Sequence, residues 1–225
     1  MKCIIMANGE YGEFDDYKCI IQDAELIICA DGGANRAYEM GVIPSYIIGD
    51  MDSISPEVRE YFLSKNVRFK KYPRRKDFTD CQLALALADE IGAEQIYLLG
   101  SLGQRLDHTL SNLYAGIELS EKGKKIVHYQ PDCQAYLISQ EMILRGNKGD
   151  IVSVMALSEE ARGVLEEGFD YPLDNVVLEK KNPYAISNIL SSEKGRIKVE
   201  QGILLVLHYP AKLLPGKPGV PDTYK

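Results

Sequence analysis

Tryptophan is absent from this 225-residue chain, so any aromatic wall against a bound ring has to be built from tyrosine or phenylalanine. Long apolar runs are absent too: none approaches the roughly 18–20 residues of a membrane span. The stretch Met1-Lys2-Cys3-Ile4-Ile5-Met6-Ala7 is too short for a signal peptide, lacks a convincing cleavage site and reads as a first strand. Cys-x-x-Cys pairs are missing. The five cysteines (Cys3, Cys19, Cys29, Cys81, Cys133) are odd in number and scattered, which favours buried, reduced thiols in a cytoplasm over a disulfide framework or a zinc site. Positive charge is in short supply: 26 Lys and Arg face 33 Asp and Glu, a net −7. Without a domain-scale basic patch, neither a nucleic acid nor a membrane is expected as partner. A nucleotide stays open, because metal ions mask carboxylates and a few arginines suffice to meet phosphates. Neither G-x-G-x-x-G nor a Walker A loop occurs, and there is no internal repeat.

What is present is an ordinary globular composition, 45% hydrophobic and 26% charged. Short β-type runs at Cys3–Met6, Leu26–Ala30, Tyr46–Ile48, Val67–Lys70, Gln95–Leu99 and Lys125–His128 alternate with helical patterns near Gly33–Met40, Pro56–Ser64, Thr79–Ile91 and Leu106–Glu121. That alternation predicts an α/β unit with a parallel sheet covered on both faces. Ser55 before Pro56 fits a helix cap followed by proline at the first helical position, and Thr79-Asp80-Cys81-Gln82 has the capping-box form. In the helix that follows, Cys81, Leu85 and Ala88 share one face, with Leu83, Leu87 and Ile91 nearby. After about Pro131 the texture changes to short Val, Ile and Leu runs at Gln134–Ser139, Met142–Leu144, Ile151–Ala156, Asn175–Leu178 and Gly202–His208. Closely spaced strands of this kind predict an all-β sandwich or barrel-like domain. The boundary falls near Gln130–Cys133, giving an α/β unit over 1–131, an all-β unit over 132–210 and a Pro/Gly-rich irregular tail over 211–225.

The chemistry gathers where predicted strands end. In Ile47-Ile48-Gly49-Asp50-Met51-Asp52-Ser53 an apolar run stops at a glycine and two carboxylates follow. If the strand stays extended, Asp50 and Asp52 point to one side. Like charges held together ask for a cation, and Mg²⁺, which takes one or two carboxylates and leaves room for phosphate, is the natural one. Asp31-Gly32-Gly33-Ala34-Asn35 opens a helix whose backbone N–H groups can approach an anion. Arg74-Arg75-Lys76 with Asp77 and Asp80 can neutralise triphosphate oxygens, although Asp80 also suits a helix start, worth about 0.3–1 kcal/mol. In Gly100-Ser101-Leu102-Gly103-Gln104-Arg105-Leu106-Asp107-His108, Arg105 can clamp phosphate bidentately and Asp107 can orient substrate or metal. His108 reads more simply as a structural residue. Each loop alone is a solvated turn; several on one rim of a parallel sheet make a metal–nucleotide site suited to phosphoryl-type transfer.

In this order and spacing the chain resembles thiamine pyrophosphokinases. The matching elements are Ala30-Asp31-Gly32-Gly33-Ala34-Asn35, Gly49-Asp50-Met51-Asp52-Ser53, Asp77-Phe78-Thr79-Asp80 and Gly100 to His108, then Gly168-Phe169-Asp170-Tyr171-Pro172-Leu173 and Ser187-Asn188. The resemblance implies a Rossmann-like α/β domain binding ATP and Mg²⁺, followed by a β-sandwich for thiamine binding and dimerisation, in a homodimer with active sites between subunits. It implies transfer of the pyrophosphoryl group of ATP to the thiamine hydroxyl, giving thiamine diphosphate and AMP. Carried over, Asp50, Asp52 and Asp80 are the metal carboxylates. Asp52, Asp80, Arg105 and Asp107 serve catalysis, with Asp52 or Asp80 taking the hydroxyl proton. Asp31, Gly32, Gly33, Asn35, Arg74, Asp77, Gly103 and Arg105 meet ATP, and Ser187, Asn188 and Tyr171, with Tyr184 a further candidate, meet thiamine. Gln104 stands where the family often has glycine. Two other readings remain: a pyrophosphokinase for another hydroxymethyl heterocycle such as a pterin, or a non-enzymatic thiamine or nucleotide sensor.

Overall fold

The computed structural model describes residues 1–75, 77–103 and 105–213. By internal contacts the chain divides into two compact units: Met1–Leu119 with Lys124–Pro131, and Ser120–Gly123 with the chain from Asp132 onward. The chain is of mixed α/β type. Ala211–Leu213 closes it with one 3₁₀ turn; the remainder of the expected tail lies outside the described residues.

In the first unit, β1 (Lys2–Met6), β2 (Leu26–Ala30), β3 (Tyr46–Gly49), β4 (Arg68–Lys71), β5 (Gln95–Leu99) and β6 (Lys125–Tyr129) alternate with α1 (Lys18–Gln22), α2 (Gly33–Glu39), α3 (Pro56–Ser64), α4 (Asp80–Glu90) and α5 (Leu106–Ala115). The strands pair in parallel in the order β6-β5-β1-β2-β3-β4. Parallel strands are covered on both faces and therefore carry continuous apolar runs. Cys3, Ile4, Ile5 and Met6 in β1 and Ile47 and Ile48 in β3 are all buried accordingly. Edge strand β4 instead carries Arg68, Lys70 and Lys71, charges that discourage further pairing. Chain order runs outward from β1 through β4, then returns to β5 on the other side of β1. The chain order thus reverses between β1 and β5, and open parallel sheets bind ligands beyond the carboxyl ends of the strands near such a point.

The helix starts follow the sequence. Ser55 caps α3, its hydroxyl accepting from Val58 N at 3.3 Å with Pro56 at the first position. Thr79 and Gln82 form a reciprocal capping box on α4, at 2.8 and 3.2 Å. On α4, Cys81, Leu85, Ala88, Ala84 and Leu87 are buried, Leu83 is half-buried, and Ile91 at the C-cap turns outward. The helix expected over Leu106–Glu121 is two helices, α5 and α6 (Ile117–Glu121), separated at Gly116. Glycine is a weak helix former, costing about 1 kcal/mol relative to alanine. A 3₁₀ turn at Phe14–Tyr17 and the five-residue α1 carry too short a period to be read from sequence.

The second unit holds β7 (Gln134–Ile138), β8 (Glu141–Arg145), β9 (Ile151–Ala156), β10 (Glu160–Glu167), β11 (Leu173–Glu179), β12 (Asn188–Ile189), β13 (Lys194–Lys198) and β14 (Leu204–Tyr209). Strands β12-β9-β14-β7 pair antiparallel, as do β11-β10-β13-β8. Both sets supply one apolar core, Val152, Val154 and Val206 meeting Leu144, Val164 and Ile197. Three strands escape the sequence reading. β10 carries four charged residues, Glu160, Arg162, Glu166 and Glu167, and bulges at Gly163, β13 reads Lys-Gly-Arg-Ile-Lys, and β12 has two residues. Hydrophobic patterning is too sparse in all three.

Candidate active site

Glycines bring the strand ends together. A Cβ on Gly9 would lie 2.1 Å from the Gly100 carbonyl oxygen, and one on Gly33 would lie 2.0 Å from that of Met6. The loops after β1, β2 and β5 thus pack backbone to backbone, closer than any side chain allows. Between them opens a cleft of about 820 Å³, lined by Ala7–Glu10, Ala30–Gly32, Asp50, Ser53, Phe78–Cys81 and Gly100–Gly103. Tyr11 braces the rim, its hydroxyl reaching the carbonyls of Ala7 and Leu99 at 3.1 and 3.0 Å.

Oxygens of Asp31, Asp50 and Asp52 lie within 4.8 Å of one another. Asp80 lies next to this set of three: a Cβ on Gly49 would meet Asp31 Cβ at 2.9 Å and Asp80 Oδ1 at 3.0 Å. The extended geometry expected of Asp50-Met51-Asp52 is not what joins them. β3 ends at Gly49, Met51 is left-handed (φ 70°), and Asp50 Oδ1 accepts from Asp52 N at 3.1 Å, an Asx-type turn. Burial raises the Asp31 pKa, and the charges of Asp80, Asp50 and Asp52 raise it further, against a lowering by the Ser53 hydroxyl. Asp31 Oδ1 is shut off from solvent and has no hydrogen-bond partner among the described residues. A buried, orphaned carboxylate oxygen among other carboxylates fits a hard divalent cation. In an octahedral Mg²⁺ shell, oxygens stand about 3 to 4 Å apart, so small rotations would close this set.

The cations differ in setting. Arg74 is 83% exposed and reaches Asp52 at 3.4 Å. Arg105 presents its Nε–Nη2 edge to Asp107 at 3.3 and 2.6 Å, so the fork expected to clamp phosphate is held by a carboxylate. That hydrogen bond is the chief reason the Asp107 pKa is lowered. From α5, Thr109 exchanges hydrogen bonds with Gly103 and Asn112 donates to the Ser101 carbonyl at 2.8 Å, fixing the glycine-rich loop. Asn35 is spent internally: its amide donates to Ser53 O at 2.8 Å and accepts from Ser55 N at 3.1 Å, tying the aspartate loop to α2. Asp77 is exposed between β4 and α4, and Gln104 lies outside the described residues.

Ser187, Asn188 and Tyr171 belong to the second unit. Ser187 is left-handed (φ 58°) and exposed, while Tyr171 and Tyr184 are 71% and 50% exposed. Asn188 is buried, and its amide is saturated by protein. It accepts from the backbone of Tyr171 and Ile189 and donates to Tyr171 O and to Glu166 Oε2, both at 2.8 Å. In this geometry it braces the Tyr171 turn. Glu166 is fully buried, and burial pushes its pKa from 4.5 up to about 7 against the Asn188 hydrogen bond. The folded state therefore binds the proton more tightly than the unfolded chain. That stability is fully present below pH 4.5 and is lost as the pH rises through about 7. The shift corresponds to about 3 kcal/mol. Glu166→Gln is expected to flatten this dependence, measured as melting temperature from about pH 5 to about pH 8.

Two family descriptions match this chain: "Thiamin pyrophosphokinase, catalytic domain" over residues 17–128 and "Thiamin pyrophosphokinase, vitamin B1 binding domain" over residues 138–204. The chain belongs to the thiamine pyrophosphokinase family. It is 29% identical over 211 residues to the thiamine pyrophosphokinase of Bacillus subtilis, covering 92% of this chain and 98% of that one. It is 28% identical to thiamine pyrophosphokinase 1 of Oryza sativa subsp. japonica, over 80% of this chain and 78% of that one. The crystal structure of the Bacillus subtilis enzyme superposes with a TM-score of 0.83 at 25% identity, covering 93% and 99% of the two chains. The Candida albicans thiamin pyrophosphokinase shares the fold, with a TM-score of 0.77 at 21% identity over 92% and 88%.

Within this thiamine pyrophosphokinase fold, the sequence reading missed the side chains that work from helix interiors. Thr109 and Asn112 lie one helical turn apart on α5, and that spacing is a usable signal for two side chains facing one loop. Arg36, one residue beyond the Asp31–Asn35 motif, also lines the cleft.

Proposed function

We propose that this chain is an ATP-dependent thiamine diphosphokinase. It transfers the pyrophosphoryl group of ATP to the thiamine hydroxyl and releases thiamine diphosphate and AMP. The observation that carries the reading is the grouping of Asp31, Asp50 and Asp52, with Asp80 beside Asp31, at the carboxyl ends of β2 and β3 and the start of α4, in a chain of this family. In the transfer, the thiamine oxygen forms a bond to the β-phosphorus, the bond from the β-phosphorus to the α–β bridging oxygen breaks, and AMP leaves with that oxygen. Asp52 or Asp80 takes the hydroxyl proton. The loops after β1, β2 and β5 hold the phosphate chain against their backbones, and the rigid packing at Gly9 and Gly33 keeps those donors in place before substrate arrives. Arg74 and Arg105 border the transferred group and exchange their carboxylate partners for phosphate oxygens. Asp50, Asp52 and Asp80, with Asp31 beside them, would hold Mg²⁺, which would supply neutralisation of the triphosphate charge.

The finer architecture belongs to the same reading: a Rossmann-like ATP-binding domain over 1–131 and a thiamine-binding β-sandwich over 132–210. Two antiparallel sheets sharing one core support the sandwich. A homodimer is supported by Leu106, Leu110 and Tyr114, an apolar stripe on α5 that is 67%, 45% and 45% exposed beside the cleft. A cytoplasmic site is supported by five free cysteines, and no described helix is long and apolar enough to cross a membrane.

Product identification tests the proposal. With ATP, Mg²⁺ and thiamine, AMP and thiamine diphosphate are expected in equal amounts, and chelation of the metal is expected to stop turnover. ADP as the product, or no turnover with thiamine, would overturn it; turnover with a hydroxymethyl pterin alone would reassign the substrate.

A further inference from the structure

Three arginines line the cleft among the described residues, and they are not equivalent. The side chains of Arg74 and Arg105 are 83% and 70% exposed and rest on Asp52 and Asp107. Arg36 rises from the interior of α2 with its side chain only 36% exposed. Its single partner among the described residues is Glu39, one turn along the same helix, at 3.0 Å from Nη1. Its Nε is shut off from solvent and has no hydrogen-bond partner among the described residues. A guanidinium carries five N–H donors in a fixed fork, and a buried donor left unmatched costs about 1–3 kcal/mol. This is the arrangement of a side chain completed by something that enters the cleft. It lines the same cleft as Ala7–Glu10 after β1 and Gly100–Gly103 after β5, the loops that would hold the phosphates.

We infer that Arg36 is a nucleotide-binding residue of this site, turning its Nε–Nη2 edge onto an anionic oxygen of the ATP phosphate chain. The inference rests on the reading of the cleft as an ATP site. The Glu39 pair holds the outer nitrogen and leaves the Nε–Nη2 edge to rotate. A fork presents two parallel donors to phosphate, which a lysine cannot do. The bland role for Arg36 is the ion pair along α2, and it makes an opposite prediction, because removing either partner would then have the same effect.

The test compares Arg36→Ala, Arg36→Lys and Glu39→Ala in the full chain. Binding of Mg²⁺ and α,β-methylene-ATP, in which the bond to be broken is blocked, is measured by calorimetry without thiamine. Steady-state KM values for ATP and thiamine are measured alongside. Loss of a charge-assisted bond is expected to weaken nucleotide binding roughly 10- to 100-fold in Arg36→Ala. Arg36→Lys should recover only part of this, Glu39→Ala should bind as wild type, and the KM for thiamine should stay unchanged. Wild-type affinity in Arg36→Ala, or equal losses in Arg36→Ala and Glu39→Ala, would overturn the inference. Should Arg36→Ala fail to fold, Arg36→Lys decides on the same terms, wild-type affinity there counting against the fork. A wild-type chain that binds the analogue through Arg36 but makes no thiamine diphosphate would keep this inference and sink the catalytic reading.

Discussion

Replacing Asp52 by asparagine is expected to lower turnover at least about 100-fold, some 2.7 kcal/mol of transition-state stabilisation, while the melting temperature stays close to wild type. The separation of the two effects follows from where Asp52 sits. It is an exposed side chain whose contacts are the Ser53 hydroxyl at 3.1 Å and Arg74 at 3.4 Å, and exposed pairs of this kind contribute little to folding. Its oxygen nevertheless lies within 4.8 Å of those of Asp31 and Asp50. Asparagine is nearly isosteric but neutral, so it removes the charge from the cluster without disturbing the turn, in which the Asp52 backbone donates to Asp50. Activity and circular dichroism melting on the same preparation check this. A melting temperature that fell as steeply as turnover would make Asp52 structural.

Gly49→Ala is expected to abolish activity through a different route, displacing the carboxylates instead of neutralising one. At Gly49 the backbone is at φ 146°, a conformation that L residues avoid. A methyl group there would stand 2.9 Å from Asp31 Cβ and 3.0 Å from Asp80 Oδ1. Asp31 is held from behind, its N–H donating to Ile48 O at 2.8 Å, and Asp80 sits in the first turn of the capped α4. Neither backbone yields readily, so the two carboxylates are forced apart at the point where they should converge. Strain and overpacking together should cost about 1–3 kcal/mol of stability. Mg²⁺ affinity should weaken more than nucleotide affinity, because the methyl group meets two of the carboxylates directly while the phosphate-holding loops after β1 and β5 are left in place. Titration of Mg²⁺ at fixed ATP, with a melting curve, measures both. An alanine variant with the metal dependence of wild type would show that Asp31 and Asp80 tolerate the methyl group and that their packing against Gly49 is incidental.

Much of this was legible in the residues. Buried parallel strands require apolar runs and capped helices require Ser-Pro or Thr-x-x-Gln, so β1 to β3, α3 and α4 announce themselves locally. The acidic loops were legible only together, since each alone is a solvated turn and it is their recurrence at successive strand ends that marks a site. Local pattern failed where stability comes from elsewhere. β10 and β13 are charged segments held by neighbouring strands, and Gly116 divides a helix that periodicity carries through.

The chain's own residue order determined the alternation of strand and helix and the position of each acidic motif at a strand end, because these depend on neighbours a few residues apart. Only the fold decided that Asp31 joins Asp50 and Asp52 with Asp80 alongside, that Asn35 and Asn188 are braces, and that Arg36 enters the cleft with a nitrogen unmatched among the described residues. Those are through-space facts: they depend on which backbones touch at Gly9, Gly33 and Gly49, and no spacing along the sequence encodes which loop a glycine will meet.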